Sequence, residues 1–517
     1  MTFFVCLGWL ISDSNSELRK KGRYEGWFRQ EQTDDTKKLN AQARLNIAAD
    51  WEAPEVALFV TGDQRGYIEP CGCTGLENQK GGLMRKADCQ RLFINRGWNP
   101  VSIDAGDQLD RSGVQATRKL QASYQTYCRV MNYEAIGFGP SELNISGTDL
   151  AQPLIDSVGA INPFTCANVT VLDESLSNQF RIIERNGKRI GITSILGDEY
   201  AANVKSDEIV IKPALESLRQ AGQAIQTEKC DLTILIAQAS KTESLELAKA
   251  VPVFDLVITG DSPGEPTLLP EKFQAGSRET QLIEVGAKGM FVGLIGCYWK
   301  NGKLEMKYER IPLDARFDDN VDAKRIFVTY QEQLKQLYQR PESFPDITPR
   351  AHPSGNEFAG TESCQDCHEE EYDIWKNGID GQGGPHARAT LDLTDPIDNP
   401  RAEIKRNFDP ECLSCHVTGW NPQKHYPYKT GYYDLNADKH LHGNGCENCH
   451  GPAKRHVDVE NGDIDATDEE IKKIYAALHL NKEEASQNGT CLECHDTDNS
   501  PDFAKKGFDE YWKHIAH

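Results

Sequence analysis

The sequence predicts a layered α/β domain over residues 53–315, followed by a mainly α-helical domain over residues 360–517. Short apolar runs separated by amphipathic stretches fill the first range, a pattern typical of strands alternating with helices. All 13 histidines of the chain lie at or after His352, and a Cys-x-x-Cys-His motif occurs four times in the second range. The two parts of the chain therefore differ in chemistry as well as in pattern.

The N-terminal segment, residues 1–52, contains little that could build a core. The stretch 1–11 is apolar, but it is too short to span a bilayer and lacks a basic leader, so we interpret it as the remnant of an export signal. Residues 12–52 are polar and charged, and they predict a tether with one helix around 36–48. No later apolar run approaches the ~18 residues of a membrane span, so a membrane tether is expected at the N-terminus only.

The α/β prediction rests on a set of short apolar runs that end in polar loops. They predict buried strands at 55–61, 100–103, 189–196, 231–237 and 255–259. A helix is expected at 214–226. Residues 281–309 alternate around Asn301-Gly302, a dipeptide favoured in hairpin turns. A further helix at 321–340 and a proline-marked linker place the connection between the domains at 316–359.

The loops after these strands resemble the metallophosphoesterase domain of the 5′-nucleotidase family. The resemblance is carried by Thr61-Gly-Asp63-Gln-Arg65-Gly, by Gly81-Gly-Leu-Met-Arg85 and by Asp104-Ala-Gly-Asp107. It covers about half of the chain and implies a fold that in this family supports two-metal hydrolysis. Asp63 and Asp107 match metal ligands of the family.

Most other ligand positions of that family are changed here. Arg65 stands where the family has a histidine, Gly139-Pro-Ser-Glu142 replaces Gly-Asn-His-Glu, Gln238 replaces a later histidine, and Gly260-Asp-Ser-Pro263 replaces Gly-His-x-His. Without histidine the domain cannot hold two cations and activate water. We therefore predict an inactive, retired phosphoesterase scaffold at 53–315. Arg65 either pairs with Asp63 or Asp107, which we favour, or binds an anion directly.

Cys71 and Cys73 lie one residue apart in a glycine-rich loop beside the changed ligand positions. Three roles are open: disulfides to each other or to Cys89, thiolate ligands for a soft metal, and a reactive thiol for sulfur chemistry. An oxidising compartment favours the disulfides. The other cysteines of this domain are expected to be core thiols or bridges, and they are Cys128, Cys166, Cys230 and Cys297.

The repeated motif of the C-terminal domain has the chemistry of covalent haem attachment. Two thiols three positions apart can form thioethers with the vinyl groups of haem, and the adjacent histidine is the proximal iron ligand. A single copy could be chance or half of a zinc site, whereas four copies point to four c-type haems. The four motifs are Cys364, Cys367 and His368; Cys412, Cys415 and His416; Cys446, Cys449 and His450; and Cys491, Cys494 and His495.

Residues 360–517 resemble the tetrahaem cytochrome c-554 family. The resemblance is carried by Gly384-Pro-His386-Ala-Arg-Ala after the first motif, by Gly451-Pro-Ala-Lys-Arg-His456 after the third, and by a C-terminal segment that ends in His517. It implies that His386, His456 and His517 are distal haem ligands. The fourth distal position stays open among His442, His425 and His479, or one iron is five-coordinate and able to bind a small nitrogen or oxygen species.

Net charge and cellular compartment limit the classes of partner that are expected. Residues 360–517 carry 31 acidic residues against 16 lysines and arginines, a formal charge of −15 out of −22 for the chain. Nucleic acid and anionic lipid are therefore poor partners. The surface is either simply solvated or a docking face for a redox partner such as a basic cytochrome. Covalent haem attachment takes place outside the cytoplasm, so we expect an exported, periplasmic protein.

Three functions are weighed on this basis. We favour an extracytoplasmic electron carrier with four haem c groups, an electron-transfer protein rather than a catalyst, whose retired phosphoesterase-like domain docks a partner or an anion. The alternatives are an oxidoreductase for a small nitrogen or sulfur compound, acting at a five-coordinate haem or at Cys71 and Cys73, and a hydrolase of phosphate esters. The predicted fold is thus a metallophosphoesterase-like α/β sandwich followed by a mainly α, haem-packed cytochrome domain.

Overall fold

A computed structural model describes residues 34–70, 79–159, 161–260, 264–379, 381, 384–396, 399–497 and 499–516. The predicted export signal, the Cys71 and Cys73 thiols, the 261–263 loop and His517 lie outside the described residues. The chain divides into two compact units. Within the described residues, the first unit runs to Thr348 and the second begins at Pro349.

The first unit is built from a five-stranded and a six-stranded sheet. Their strand orders are β13-β12-β1-β2-β3 and β10-β11-β9-β8-β6-β5, and β4 pairs with β7 in a separate ribbon. The strands are β1 (Val56–Thr61), β2 (Val101–Asp104), β3 (Ala135–Ile136), β4 (Val169–Val171), β5 (Phe180–Arg185), β6 (Lys188–Leu196), β7 (Ile209–Ile211), β8 (Leu232–Gln238), β9 (Leu256–Thr259), β10 (Glu271–Ala275), β11 (Arg278–Glu284), β12 (Phe291–Lys300) and β13 (Lys303–Pro312).

Apolar side chains from both sheets form one core cluster. Val60 of β1 and Ile103 of β2 pack there with Ile192 of β6 and Ile234 of β8, all buried. The central strands are parallel, as β1 is to β2 and β6 is to β8. Because parallel strands are covered on both faces, they read as continuous apolar runs in the sequence. All five predicted strands are confirmed with nearly the predicted bounds.

The predicted hairpin is confirmed in its turn and corrected in its extent. β12 and β13 pair antiparallel around Asn301 and Gly302, whose φ angles of 53° and 77° suit the two-residue turn. The predicted start at Gln281 is wrong, because that residue belongs to β11 and pairs with β9 and β10 in the other sheet. The glycines between β11 and β12 let the chain change sheets: Gly286 and Gly289 have φ angles of 77° and 57°.

Helices cover the sheets of the first unit. Their bounds are Asp34–Asn46, Leu83–Asn95, Val114–Gln125, Pro140–Leu143, Gly147–Ser157, Asp198–Ala201, Ala214–Thr227, Lys241–Ala250 and Val321–Tyr338. The three predicted helices are among them. Ala214–Thr227 buries Leu218 and Ile225 against β6 and keeps its polar side exposed, as its amphipathic spacing predicts.

Two segments that the sequence assigned to tethers or linkers are bonded to the first unit. In the predicted N-terminal tether, Arg44 forms salt bridges with Asp88 and Asp318, each at 2.9 Å. In the predicted linker, Asp346 accepts hydrogen bonds from the backbone N–H groups of Val114 and Gln115 and caps their helix. Polar composition alone gave no sign of these ion pairs and caps, because they join residues far apart in sequence.

The second unit consists mainly of short helices. Their bounds are Glu369–Asn377, Pro385–Arg388, Pro410–His416, Cys446–His450, Lys454–Glu460, Asp468–Leu478, Lys482–Gln487, Pro501–Lys506 and Phe508–Trp512. β14 (Trp420–Asn421) and β15 (Tyr426–Pro427) form a small antiparallel pair. The mainly helical prediction is confirmed. In the part of the chain that the structure describes, no helix is both long and apolar enough to cross a membrane.

Candidate functional site

Each Cys-x-x-Cys-His motif of the second unit lies on a helical turn. The second motif ends the helix Pro410–His416, which Asp409 caps by accepting a hydrogen bond from Glu411 N at 3.1 Å. The third forms the helix Cys446–His450, while the first begins at the last residue of the 3₁₀ turn Thr361–Cys364 and the fourth begins within the 3₁₀ turn Thr490–Glu493. On a helical turn, side chains three and four positions apart lie on one face. Both thiols and the histidine of a motif can therefore contact the same bound group.

Two of the motif histidines lie close to a second histidine from elsewhere in the unit. The ring centres of His368 and His456 are 6.4 Å apart, and those of His386 and His495 are 6.0 Å apart. A bond from imidazole nitrogen to a metal is about 2 Å, so one metal between two rings separates their centres by about 6 Å. Both pairs therefore fit a six-coordinate haem iron.

Hydrogen bonds at Nδ1 orient the rings of three motif histidines. Nδ1 lies 2.6 Å from the Ala389 carbonyl in His416, 2.8 Å from the Leu478 carbonyl in His450, and 3.0 Å from Ser500 Oγ in His495. Such a partner holds the ring and leaves Nε2 available for a metal. In His456, Nδ1 is buried and has no hydrogen-bond partner among the described residues.

Burial favours the neutral form of the His386, His416 and His495 imidazoles. It lowers the pKa of His386 and His416 below the usual value and lowers the pKa of His495 to about 4, where His386 adds a smaller effect. Neutral imidazole is the form that binds iron, so the rings are in the ligand state at neutral pH.

The thiols of different motifs are close to one another. The Cys364 side chain lies beside that of Cys446, and the Cys415 side chain lies beside that of Cys494. Cys449 of the third motif and Cys491 of the fourth motif are near enough to interact electrostatically. Each attachment motif thus lies next to at least one other motif of the unit.

The other histidine candidates have different surroundings. His442 Nε2 lies 2.9 Å from the Leu435 carbonyl, so this nitrogen has a backbone partner. His479 is 65% exposed and lies 3.3 Å from Glu484. His425 has a positive φ of 54°. The predicted distal ligand His517 lies outside the described residues, as do Cys71 and Cys73.

In the first unit, the changed phosphoesterase positions form an internal ion pair. Arg65 Nε donates to Asp63 Oδ1 at 2.6 Å and lies 3.8 Å from Asp107 Oδ2. All three residues have positive φ angles, and Arg65 N donates to the Asp107 carbonyl at 3.1 Å. The guanidinium therefore takes the internal pairing that we favoured from the sequence over direct binding of an anion.

A buried glutamate supports these loops. Glu142, fully buried, accepts hydrogen bonds from Asp107 N, Gln108 N, Gly139 N and Ser141 Oγ, at 2.8 to 3.0 Å. Glu142 therefore connects the loop that contains Asp107 to the loop that begins at Gly139. Burial raises the pKa of Glu142 to about 8, and the Asp107 charge adds to the rise.

Sequence reasoning missed a buried lysine beneath the loops. Lys86 donates to Tyr127 OH at 2.9 Å and to the Gln64 side chain. The neighbouring acidic residue is Asp104. Its carboxylate accepts hydrogen bonds from Thr61 Oγ1 and Gln108 Nε2, each at 2.6 Å. Burial lowers the pKa of Lys86 to about 8, and the Asp104 charge opposes that effect. Its position on the buried side of the helix Leu83–Asn95 was the available signal.

Comparison with known proteins identifies a family match within the second unit. Residues 363–451 match the family model for cytochrome c554 and c-prime. The chain is also 31% identical over 105 residues to cytochrome c-554 of Nitrosomonas europaea, across 19% of this chain and 39% of that protein.

The C-terminal unit contains a cytochrome c554 domain.

The match over residues 363–451 confirms that part of the resemblance stated from the sequence. The family implies covalently bound haem c and supports a role in haem electron transfer. The histidine pairs in this domain have the separation that haem iron requires, so the residues fit the group.

The first unit is similar to nucleotide phosphoesterases. The chain is 21% identical over 287 residues to a trifunctional nucleotide phosphoesterase of Bacillus subtilis, across 48% of this chain and 19% of that protein. Among solved structures, a 5′-nucleotidase precursor from Thermus thermophilus matches with a TM-score of 0.47 and 17% identity, across 60% of this chain and 62% of that one. The first unit has a metallophosphoesterase-like fold, joined in one chain to the cytochrome c554 domain.

Replacing Arg65 with alanine is expected to lower the free energy of unfolding of the full chain by about 1–2 kcal/mol. The buried carboxyl of Asp63 would lose its cation, and the loss is moderate because the Arg65 side chain is 35% exposed. Urea denaturation monitored by circular dichroism measures the change. Arg325→Ala, which breaks a pair with Asp322 at a side chain that is 74% exposed, is the control and should cost less than about 0.5 kcal/mol. Equal losses in the two variants would contradict a supporting role for Arg65.

Proposed function

We propose that this chain is an extracytoplasmic c-type cytochrome that transfers electrons through four covalently bound haem groups. The observation that carries the proposal is the facing of His368 by His456 and of His495 by His386, at ring separations of 6.4 and 6.0 Å. Iron with two imidazole ligands mainly passes electrons. The chain spans well under half the length of either curated relative it matches, so the activity of the whole protein belongs to this proposal.

The residues have separate tasks in this function. Haem, when bound, supplies an iron that alternates between the ferric and ferrous states. The paired cysteines hold the group covalently, and the adjacent histidines provide the proximal nitrogens. Backbone and hydroxyl partners at Nδ1 of His416, His450 and His495 keep those rings oriented. Close spacing of the four motifs favours transfer within a single unit.

The first experiment counts the haem groups on the full chain. Protein expressed with a cytochrome c maturation system is expected to keep four porphyrins per chain after acid–acetone extraction. Intact mass and the pyridine haemochrome spectrum measure this number. A chain with Cys491 and Cys494 both changed to serine is the matched control and should keep one porphyrin fewer. A wild-type sample with no extraction-resistant porphyrin would overturn the proposal.

The metallophosphoesterase-like unit is proposed to be hydrolytically inactive. The proposal is supported by the Arg65 guanidinium, which lies against Asp63 and Asp107 where the family binds metal, and by the glutamine at Gln238. Two-metal hydrolysis needs ligands for both cations. Assay of nucleotide and bis-phosphate esters with Mn²⁺, Mg²⁺ or Zn²⁺ is expected to give no turnover. Metal-dependent turnover that is lost in both Asp63→Asn and Asp107→Asn would contradict the proposal, because that loss excludes a contaminating enzyme.

A basic redox protein is the proposed partner of the cytochrome domain. The net charge of −15 over residues 360–517 supports this choice. Exposed acids head two helices: Glu369 and Glu370 begin one, and Asp468 and Glu469 begin the other. Cytochrome c554 homologues are typically periplasmic, which supports the proposed location.

A further inference from the structure

The two residues between the cysteines of the third motif bond in different directions. Asn448 Nδ2 donates to the Val417 carbonyl at 3.1 Å, one residue after the second motif. Glu447 instead reaches the backbone just before the first motif. The third motif is therefore a junction between the first and second motifs, and its two variable positions make the connections.

Glu447 is held as a buried carboxylate. It is 3% exposed. Oε1 accepts hydrogen bonds from Ala359 N and Ala453 N, and Oε2 accepts one from Gly360 N, all at 2.8 Å. Each partner is a donor, and donors aimed at both oxygens stabilise the ionised form.

Neighbouring contacts show how tightly the first and third motifs meet at this point. Thr361 Oγ1 accepts a hydrogen bond from Cys446 N at 3.2 Å. A Cβ atom at Gly445 would collide with the same hydroxyl, so only glycine fits there. The Cys364 and Cys446 side chains lie beside each other. Glu447 thus lies where the attachment points of two haem groups adjoin.

The charge of Glu447 has little compensation. Among the described residues, no lysine or arginine forms an ion pair with it, and His440 lies near enough to interact with it electrostatically. Burial raises the pKa of Glu447, and its three backbone donors oppose that rise. An anion that is shielded from water acts on nearby groups at a low effective dielectric constant.

We propose that Glu447 positions the first and third attachment motifs against each other and, as a buried anion between them, lowers the reduction potentials of the haem groups that these motifs hold. The inference rests on the proposed electron-transfer function. Reduction adds an electron to a haem, so a nearby negative charge disfavours it, whereas an exposed carboxylate is screened by water and salt. Glu447 is a positioning residue, because it bonds the polypeptide rather than an iron.

The experiment is a redox titration of Glu447→Gln in the full, haem-loaded chain. Two of the midpoint potentials are expected to rise, each by about tenfold in the reduction equilibrium constant, or about 59 mV for one electron. The other two should stay at their wild-type values. Asp366→Asn is the matched control, because it removes the same charge from an exposed residue inside the first motif and should shift the potentials much less.

The proposal is overturned if Glu447→Gln and Asp366→Asn give the same four potentials. If Glu447→Gln does not fold, the wild-type protein supplies the test. The haem of the first motif is the one whose low-spin signal should disappear in His456→Ala. In the wild-type protein this haem should then titrate with the lower pair of potentials. A place in the upper pair overturns the proposal. Haem content is measured on every sample, so a chain without covalent haem fails the proposed function, whereas a loaded chain with unchanged potentials fails only this inference.

Discussion

Replacing His456 with alanine is expected to convert one low-spin ferric haem of the oxidised protein to the high-spin state. The reason is the position of its ring, 6.4 Å from the proximal His368, which suits a sixth ligand on the same iron. His386→Ala should have the same effect at His495, whose ring centre lies 6.0 Å away. Electron paramagnetic resonance of the oxidised protein measures the change. Each variant should lose about a quarter of the low-spin signal if four haems are bound.

The control for these variants is His479→Ala. Its ring is 65% exposed and has Glu484 beside it, so its loss should leave the spectrum unchanged. Added imidazole should restore the low-spin signal in His456→Ala and His386→Ala, because it can fill the vacated position. Retention of every low-spin signal in either variant would show that the ring assigned to that iron is not its ligand.

Replacing Lys86 with methionine is expected to lower the free energy of unfolding of the first unit by about 3–5 kcal/mol. Methionine fills the same space, but the buried Asp104 loses the cation that opposes its burial, and Gln64 and Tyr127 each lose a hydrogen-bond donor. Denaturant titration gives the change. Lys303→Met, at an exposed position of β13, is the matched control and should change the stability by less than about 0.5 kcal/mol.

A double variant and a pH series separate charge from packing at Lys86. Asp104→Asn combined with Lys86→Met should recover part of the loss, and a strictly additive result would contradict the coupling. The pKa of Lys86 is lowered to about 8, so above that pH the unfolded chain binds more protons at this residue than the folded chain does. The contribution of Lys86 to stability therefore rises from about pH 8 to about pH 10 in the wild type, and Lys86→Met should lack this rise.

Much of the fold could be predicted because its signals are local. The buried strands of the first unit are continuous apolar runs, and the Asn301-Gly302 dipeptide marks the hairpin turn. The assignment of Gln281 to that hairpin failed because alternation does not say which sheet a strand joins. The ion pairs of Arg44 and the helix cap at Asp346 were not predictable from composition, because both join distant segments.

The sequence by itself determined the chemistry of this protein. Four thiol pairs, each followed by histidine, predict covalent haem attachment, and the absence of histidine before His352 separates that chemistry from the α/β unit. Only the tertiary structure decided which groups meet. It pairs His368 with His456 and His386 with His495, sets Arg65 against Asp63, and buries Glu447 at the junction of two motifs. A motif is complete within a few residues, whereas these contacts depend on how distant segments pack and on what that packing removes from water.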